Sequence, residues 1–329
     1  MREPGAVREA GGGAASPRDG RGPGGGAAPQ DAGREGGGGE RPRVDVRLAL
    51  AVLAVAALIV AVYRDAFVTL VRTWESNPDY SHGYIIPPIA VFIFWREWKR
   101  FVSAIGRGSG WGLALVALAL AGHVVSIRAG VFMTQGYSFV LLLFGLSLFM
   151  FGGAATRRVW FPLAYLVFML PIPPFLLHVV SFQLKVFAAR AGSAVAVNLG
   201  VPLVRSGMTI HLPAGSLRIA NPCSGLRSLI ALVALGALFA YLSRGALWKR
   251  IVLFLSAVPL AVGANVLRIA TLCVVASVWG IDTALGFFHD LSGLLLFLVA
   301  FIGLVIVRKL LRTEGPAPDR PSGPGREAA

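Results

Sequence analysis

Apolar residues run along most of this chain in unbroken blocks, with polar residues gathered in short stretches between them. A helix needs about 20 apolar residues to cross the roughly 30 Å of hydrocarbon in a bilayer. Eight blocks approach that length, at roughly 47–64, 84–96, 111–128, 134–153, 160–181, 225–243, 251–280 and 291–307. The pattern predicts an all-α polytopic membrane protein of about eight transmembrane helices. The second block is short and holds Pro87 and Pro88, which predicts a kink or an extended outer end. The seventh is long enough to project beyond the bilayer or to break near Gly263. Residues 182–222 interrupt the series. They open as a short amphipathic helical stretch and continue as two alternating runs, "MTIHLP" and "SLRIAN", around Pro213 and Gly215. Alternation flanked by turn residues predicts a hairpin resting on the membrane face before the sixth span.

The flanks have no such blocks. Residues 1–46 are rich in Gly, Ala and Arg and 309–329 are basic and then rich in Pro and Gly, so both read as disordered tails around a membrane domain at 47–308.

Composition agrees with the pattern: 56% of residues are hydrophobic, 14% are charged and the mean hydropathy is +0.70. The net charge of +15 invites a nucleic-acid reading, but its placement excludes one. With the N-terminal tail inside, the turns on that side carry 12 Lys and Arg against a single acid, Glu97. This is the bias that orients membrane proteins, and it predicts a multi-pass inner-membrane protein with both termini cytoplasmic.

Ionisable groups in spanning segments are costly, by about 2.5–3.5 kcal/mol on insertion scales, so each is a functional candidate. Cys223 stands in "NPCSGLRSL" at the mouth of the sixth span. Arg268, in "ANVLRIATL", lies 17 residues beyond Ile251. At 1.5 Å per residue that is roughly 25 Å from the inner end. His289, in "GFFHDLSG", directly precedes the eighth span. A thiol, a guanidinium and an imidazole thus reach one outer depth from three distant segments. Thiolate acyl transfer uses these types together: a thiolate nucleophile, a fixed cation for an oxyanion or a carboxylate, and a proton shuttle. Each also has a plainer reading, as a packing thiol, a snorkelling arginine and an interfacial anchor. Arg227, one helical turn beyond Cys223, is a candidate for holding thiolate or substrate. Tyr80, Ser81 and His82 form an outward cluster that lines the site or caps the second span. Asn265 satisfies backbone or the guanidinium, and Asp290 orients His289. Cys273, His123 and His178 read as structural, and His211 faces either water or the site. Two cysteines without CxxC or ligand spacing call for neither a disulfide framework nor a metal, and nothing in the sequence asks for a cofactor.

The ordered motifs "NPDYSHGYIIPPI", "FWREW", "FMLPIPP", "LGVPLVRSGMTIHLP", "NPCSGLRSL", "VPLAVGANVLRI" and "FHDLSG" resemble the exosortase/archaeosortase family across nearly all of 48–308. The resemblance implies a membrane-embedded cysteine transpeptidase acting on exported proteins. Their C-terminal sorting signal, of Pro-Glu-Pro type, joins a short motif to a membrane helix and a basic cluster. It implies an acyl-thioester on Cys223, with Arg268 as proton donor or oxyanion stabiliser and His289 completing the triad, on the extracytoplasmic face. Two other classes compete. One is a small polytopic transporter of an anionic substrate, for which the chain lacks the internal repeat such folds carry. The other is a membrane acyl- or glycosyltransferase using His289 and Asp290.

Overall fold

The computed structural model describes residues 46–219 and 225–313. Cys223 lies outside the described residues, as do the tails 1–45 and 314–329 and the side chains of His289 and Asp290. By its internal contacts the chain divides after Leu53, so that the first unit contributes the opening turns of helix α1 and the second, from Ala54, everything else described here.

Helix α1 (Val46–Val62) bends by 64° at Tyr63 into α2 (Arg64–Ser76). The mixed composition of α2 gives no membrane block. Its helix is stabilised by tertiary contact, with Leu70 buried among Ile86, Ile93 and Tyr165. At the bend His123 is buried and its Nε2–H donates to the Val62 carbonyl at 3.2 Å, while the Tyr63 hydroxyl hydrogen-bonds Ser138 at 3.2 Å. A 3-10 turn (Pro78–Tyr84) leads into α3 (Ile86–Val102). Pro87 and Pro88 fall in the first turn of α3, where their missing N–H groups would be unpaired anyway, so they start the helix and do not kink it.

After α4 (Gly110–Arg128) comes α5 (Phe132–Tyr165), continued by a 3-10 turn (Leu166–Met169). Within α5 the chain folds back on itself at Gly152, whose φ of 81° and ψ of 173° lie outside helix. The Ser147 and Thr156 hydroxyls are 3.0 Å apart, whereas nine residues of straight helix span about 13 Å. Likewise the Tyr137 hydroxyl donates to the Pro171 carbonyl at 3.1 Å, 34 residues on. The two arms form an antiparallel hairpin. Gly152 is required because its backbone packs on the Arg107 carbonyl and its φ suits no L side chain. The expected fifth block at 160–181 is therefore corrected. Its helix begins at the Gly152 reversal and stops at Met169, since Pro171, Pro173 and Pro174 cannot continue it.

Helix α6 (Pro174–Asn198) starts earlier than the expected amphipathic stretch. A stripe of small residues, Ala188, Ala189, Gly192, Ser193 and Ala196, is buried along it, and Gly192 lies directly on Ile269 of the later helix α8. The expected hairpin is a three-stranded antiparallel sheet: β1 (Val204–Ser206), β2 (Thr209–Leu212) and β3 (Gly215–Arg218). Its inner face, Ile210, Leu212 and Leu217, packs on α6 and α8. His211 points the other way and hydrogen-bonds Ser216 at 2.8 Å.

Helix α7 (Leu226–Leu242) and helix α8 (Leu247–Trp279) follow. α8 does not break at Gly263; it runs on, and its last turns carry Leu272, Cys273, Val275 and Ala276 into the core beneath the sheet. A short α9 (Ile281–Leu285) precedes α10 (Phe287–Leu310), which begins before the expected eighth span, so that His289 sits within its first turn.

Among the described residues four helical stretches are long and apolar enough to cross a membrane: Gly110–Arg128, Phe132–Met169, Leu247–Trp279 and Leu291–Leu310. The bent pair Leu53–Val62 and Arg64–Ser76 makes a fifth, and Leu226–Leu242 is apolar but shorter. The second of the four is the folded hairpin. The protein is a predominantly helical membrane protein whose exposed surface is crowded with large apolar side chains, among them Trp111, Leu118, Phe175 and Leu295.

Candidate active site

One wall of the site is the turn "NPDYSHGY". The Asn77 side chain accepts from the Asp79 N–H at 3.0 Å, Pro78 supplies a preset φ, and together they close the 3-10 turn. The turn is fastened to the proline-rich break that ends the α5 hairpin. The Ile172 N–H donates to the Tyr80 hydroxyl at 3.2 Å, His82 Nε2–H donates to the Phe168 carbonyl at 3.2 Å, and Trp74 Nε1–H donates to the Met169 carbonyl at 2.9 Å. Gly83 is pressed on the Trp74 indole, with no room for a side chain. Tyr80 is thus a buried strut, while its neighbours Asp79, Ser81 and His82 face a cleft.

The opposite walls come from α6, α7, α8 and α10. Gly225 opens α7 in a left-handed conformation, φ 74°, and a Cβ there would lie 2.5 Å from Cγ of Asn265. Arg227, the second residue of α7, donates from Nη2 to the Ser81 hydroxyl at 3.1 Å. Arg268 of α8 donates from Nε to the Ser292 hydroxyl of α10 at 3.3 Å. Its guanidinium rests on Gly293, where a Cβ would stand 3.3 Å from Nη2. Helical spacing puts position 289 one turn before Ser292 and Gly293 on the same face of α10. The cleft between these walls has a volume of about 770 Å³. Its described lining joins the polar groups of Asp79, Ser81, His82, His178, Arg227, Ser228 and Arg268 to an apolar side made by Leu177, Ala231, Leu294 and Phe297.

Of the residues singled out from the sequence, Arg268, Arg227, Ser81 and His82 meet at this cleft. Asn265 is buried beneath Gly225 and helps enclose a small void with Leu184 and Ala188, so it supports the cleft from below. Tyr80 lies behind the wall. His289 and Asp290 belong to the first turn of α10, one turn from the Arg268 contact, and Cys223 is two residues before Gly225 in sequence. The cleft also takes in Asp79, His178 and Gly293, and Ser292 adjoins it through Arg268. Ser292 and Gly293 were within reach, since they follow His289 by three and four residues.

The cleft is electrostatically uneven. Burial raises the Asp79 carboxyl above its usual range, and the Arg227 charge works against that rise. Burial lowers His82, opposed by its hydrogen bond to Phe168, so this ring is neutral at pH 7 with its Nε2 proton committed. Two guanidinium groups, of Arg227 and Arg268, thus line the cleft beside a single described carboxyl, Asp79, which suits it to an anionic or carbonyl-bearing chain.

Gly225 provides a test of the geometry. Gly225→Ala is expected to destabilise the protein by about 1–3 kcal/mol, through left-handed strain and overlap with Asn265. The midpoint of thermal unfolding in detergent should fall; an unchanged midpoint would mean that the turn does not rest on Asn265.

Neither a curated protein nor a solved structure matches the chain significantly. A family model described as transmembrane exosortase (Exosortase_EpsH) matches residues 74–306, a range that takes in the "DYSHG" turn, the α5 hairpin, the sheet, Cys223, Arg268 and His289. With most of its length and the whole cleft inside that match, the chain belongs to the transmembrane exosortase family.

Proposed function

We propose that this protein is a cysteine transpeptidase that cleaves C-terminal sorting signals of exported proteins, with Cys223 as nucleophile and Arg268 and His289 as its partners. The observation that carries the reading is the seating of Arg268. Its guanidinium lies against Ser292 and Gly293, one turn from position 289, in the cleft that Gly225 also lines. In the proposed reaction the Cys223 thiolate attacks the scissile carbonyl carbon and the carbonyl π electrons move to oxygen. Arg268 donates hydrogen bonds to that oxyanion. The C–N bond then breaks, and the leaving amine takes a proton from the His289 imidazolium, which leaves an acyl-thioester. An incoming nucleophile attacks the thioester, passes its proton to His289, and releases the thiolate.

The same reading assigns eight crossing segments: α1, α3, α4, the two arms of α5, α7, α8 and α10. The site lies at the extracytoplasmic end. Its support is the gathering of basic turns at the other end. There Gly106 N–H donates to the Phe151 carbonyl at 3.1 Å beside the Gly152 reversal, Arg250 Nε donates to the Ala240 carbonyl at 2.7 Å, and the Arg308 guanidinium lies over the Phe239 ring at 5.4 Å. Arg268 is 18 residues above Arg250, roughly 27 Å along α8. Reporter fusions after Arg250 and Arg312 are expected to read cytoplasmic, and one at Gly215 extracytoplasmic. A cytoplasmic result at Gly215 would move the cleft to the wrong face and end this mechanism.

A further inference from the structure

The turn "NPDYSHG" takes no part in the reaction just described, yet it is fastened at several points. Four ties hold it: the Asn77 cap, the Tyr80 hydroxyl on Ile172, the His82 ring on Phe168, and Gly83 on the Trp74 indole. Nothing in a mere connection between α2 and α3 needs that rigidity. What the turn presents to α7 is Ser81, whose hydroxyl accepts from Arg227 at 3.1 Å. Arg227 is in the first turn of α7, four residues after Cys223 in sequence. That first turn is also seated from the other side by Asn265 against Gly225.

We propose that the 3-10 turn is a positioning element for the nucleophile: Ser81 holds the Arg227 guanidinium, and Arg227 in turn fixes the first turn of α7 from which the Cys223 segment departs. The proposal rests on the transpeptidase reading and adds to it a role for two side chains that touch no reacting atom. A guanidinium is suited to this, because its planar fork donates in fixed directions. A hydrogen bond to a charged group contributes more than a neutral one, so losing it should loosen the segment without unfolding the protein. Because Ser81 acts only through Arg227, its effect must vanish when Arg227 is already removed. A purely structural Ser81 would lack that dependence.

The experiment is a double-mutant cycle on the full-length protein in proteoliposomes. The probe is a fluorescent peptide with a Pro-Glu-Pro motif, an apolar helix and a basic cluster, and rates are normalised to inserted chain. Ser81→Ala is expected to lower kcat about tenfold with KM changed less than about twofold. In the Arg227→Gln background the same change should alter kcat by less than about twofold. Ser81→Thr, which keeps the hydroxyl, should stay within about threefold of the parent. If Ser81→Ala does not accumulate, Ser81→Cys, which keeps the size and weakens the acceptor, replaces it in the cycle with the same expectations. Equal losses in both backgrounds, or no loss in the parent, would overturn the proposal while an inert Cys223→Ala kept the transpeptidase reading intact. Processing by Cys223→Ala would remove that reading, and this proposal with it.

Discussion

Cys223→Ala is expected to insert in normal amount and to process no substrate, with a loss of at least about 10³-fold, because covalent catalysis has no substitute for its nucleophile. Cys223→Ser should keep no more than about 1% of the rate. A hydroxyl is far less acidic than a thiol, and neither an imidazole nor the start of a helix can bring its pKa near neutrality. The other cysteine is the internal control. Cys273 is fully buried in the core shared by α6, α8 and the sheet, beside Leu272 and Ala276. Cys273→Ala should cost about 1 kcal/mol of stability and leave processing near normal. Co-expression of each variant with a sorting-signal protein, read as the substrate's size on a gel, separates these outcomes. Full processing by Cys223→Ala would remove the transpeptidase reading altogether.

Arg268→Lys is the second large effect, a loss of about 10²–10³-fold in kcat with little change in KM, the size seen when one oxyanion donor is removed. The charge is retained, so a snorkelling or merely anchoring arginine would tolerate the change. The seat of Arg268 is specific to the guanidinium: Nε donates to Ser292 at 3.3 Å while the planar group lies on Gly293. An ammonium can reach one of these positions and not both. Gly293→Ala should act in the same direction, since its Cβ would meet Nη2 at 3.3 Å and push the guanidinium off its seat. Near-normal processing by Arg268→Lys would return Arg268 to the anchoring role.

Much of this was readable in the amino-acid pattern, and the misses have physical reasons. The long apolar blocks that became α4, α8 and α10 stand out because every side of such a helix is apolar. That Arg268 lies far along α8 from its basic first turn followed from helical rise alone. The α5 hairpin was harder to place. A single left-handed glycine turns the chain, Arg157 and Arg158 stay helical beyond it, and the expected turn therefore fell too late. The strand β1 escaped because Val204–Ser206 is too short to alternate visibly and exists by pairing with β2. Around the cleft, sequence named the residues with obvious chemistry and could not separate neighbours. Tyr80 and Ser81 are adjacent, and only the Ile172 and Arg227 contacts show that one faces the interior and the other the cleft. Gly225 and Gly293 matter for the side chains they lack, which composition does not register.

The most direct measurement is to trap the acyl-enzyme. The full-length protein is mixed with the sorting-signal peptide, quenched in acid, digested and analysed by mass spectrometry. The account expects the substrate's N-terminal fragment joined to the peptide that contains Cys223, released by neutral hydroxylamine as its hydroxamate, and absent from Cys223→Ala. Substrate processed at full rate with no such adduct, or an adduct on Cys273 instead, would contradict it.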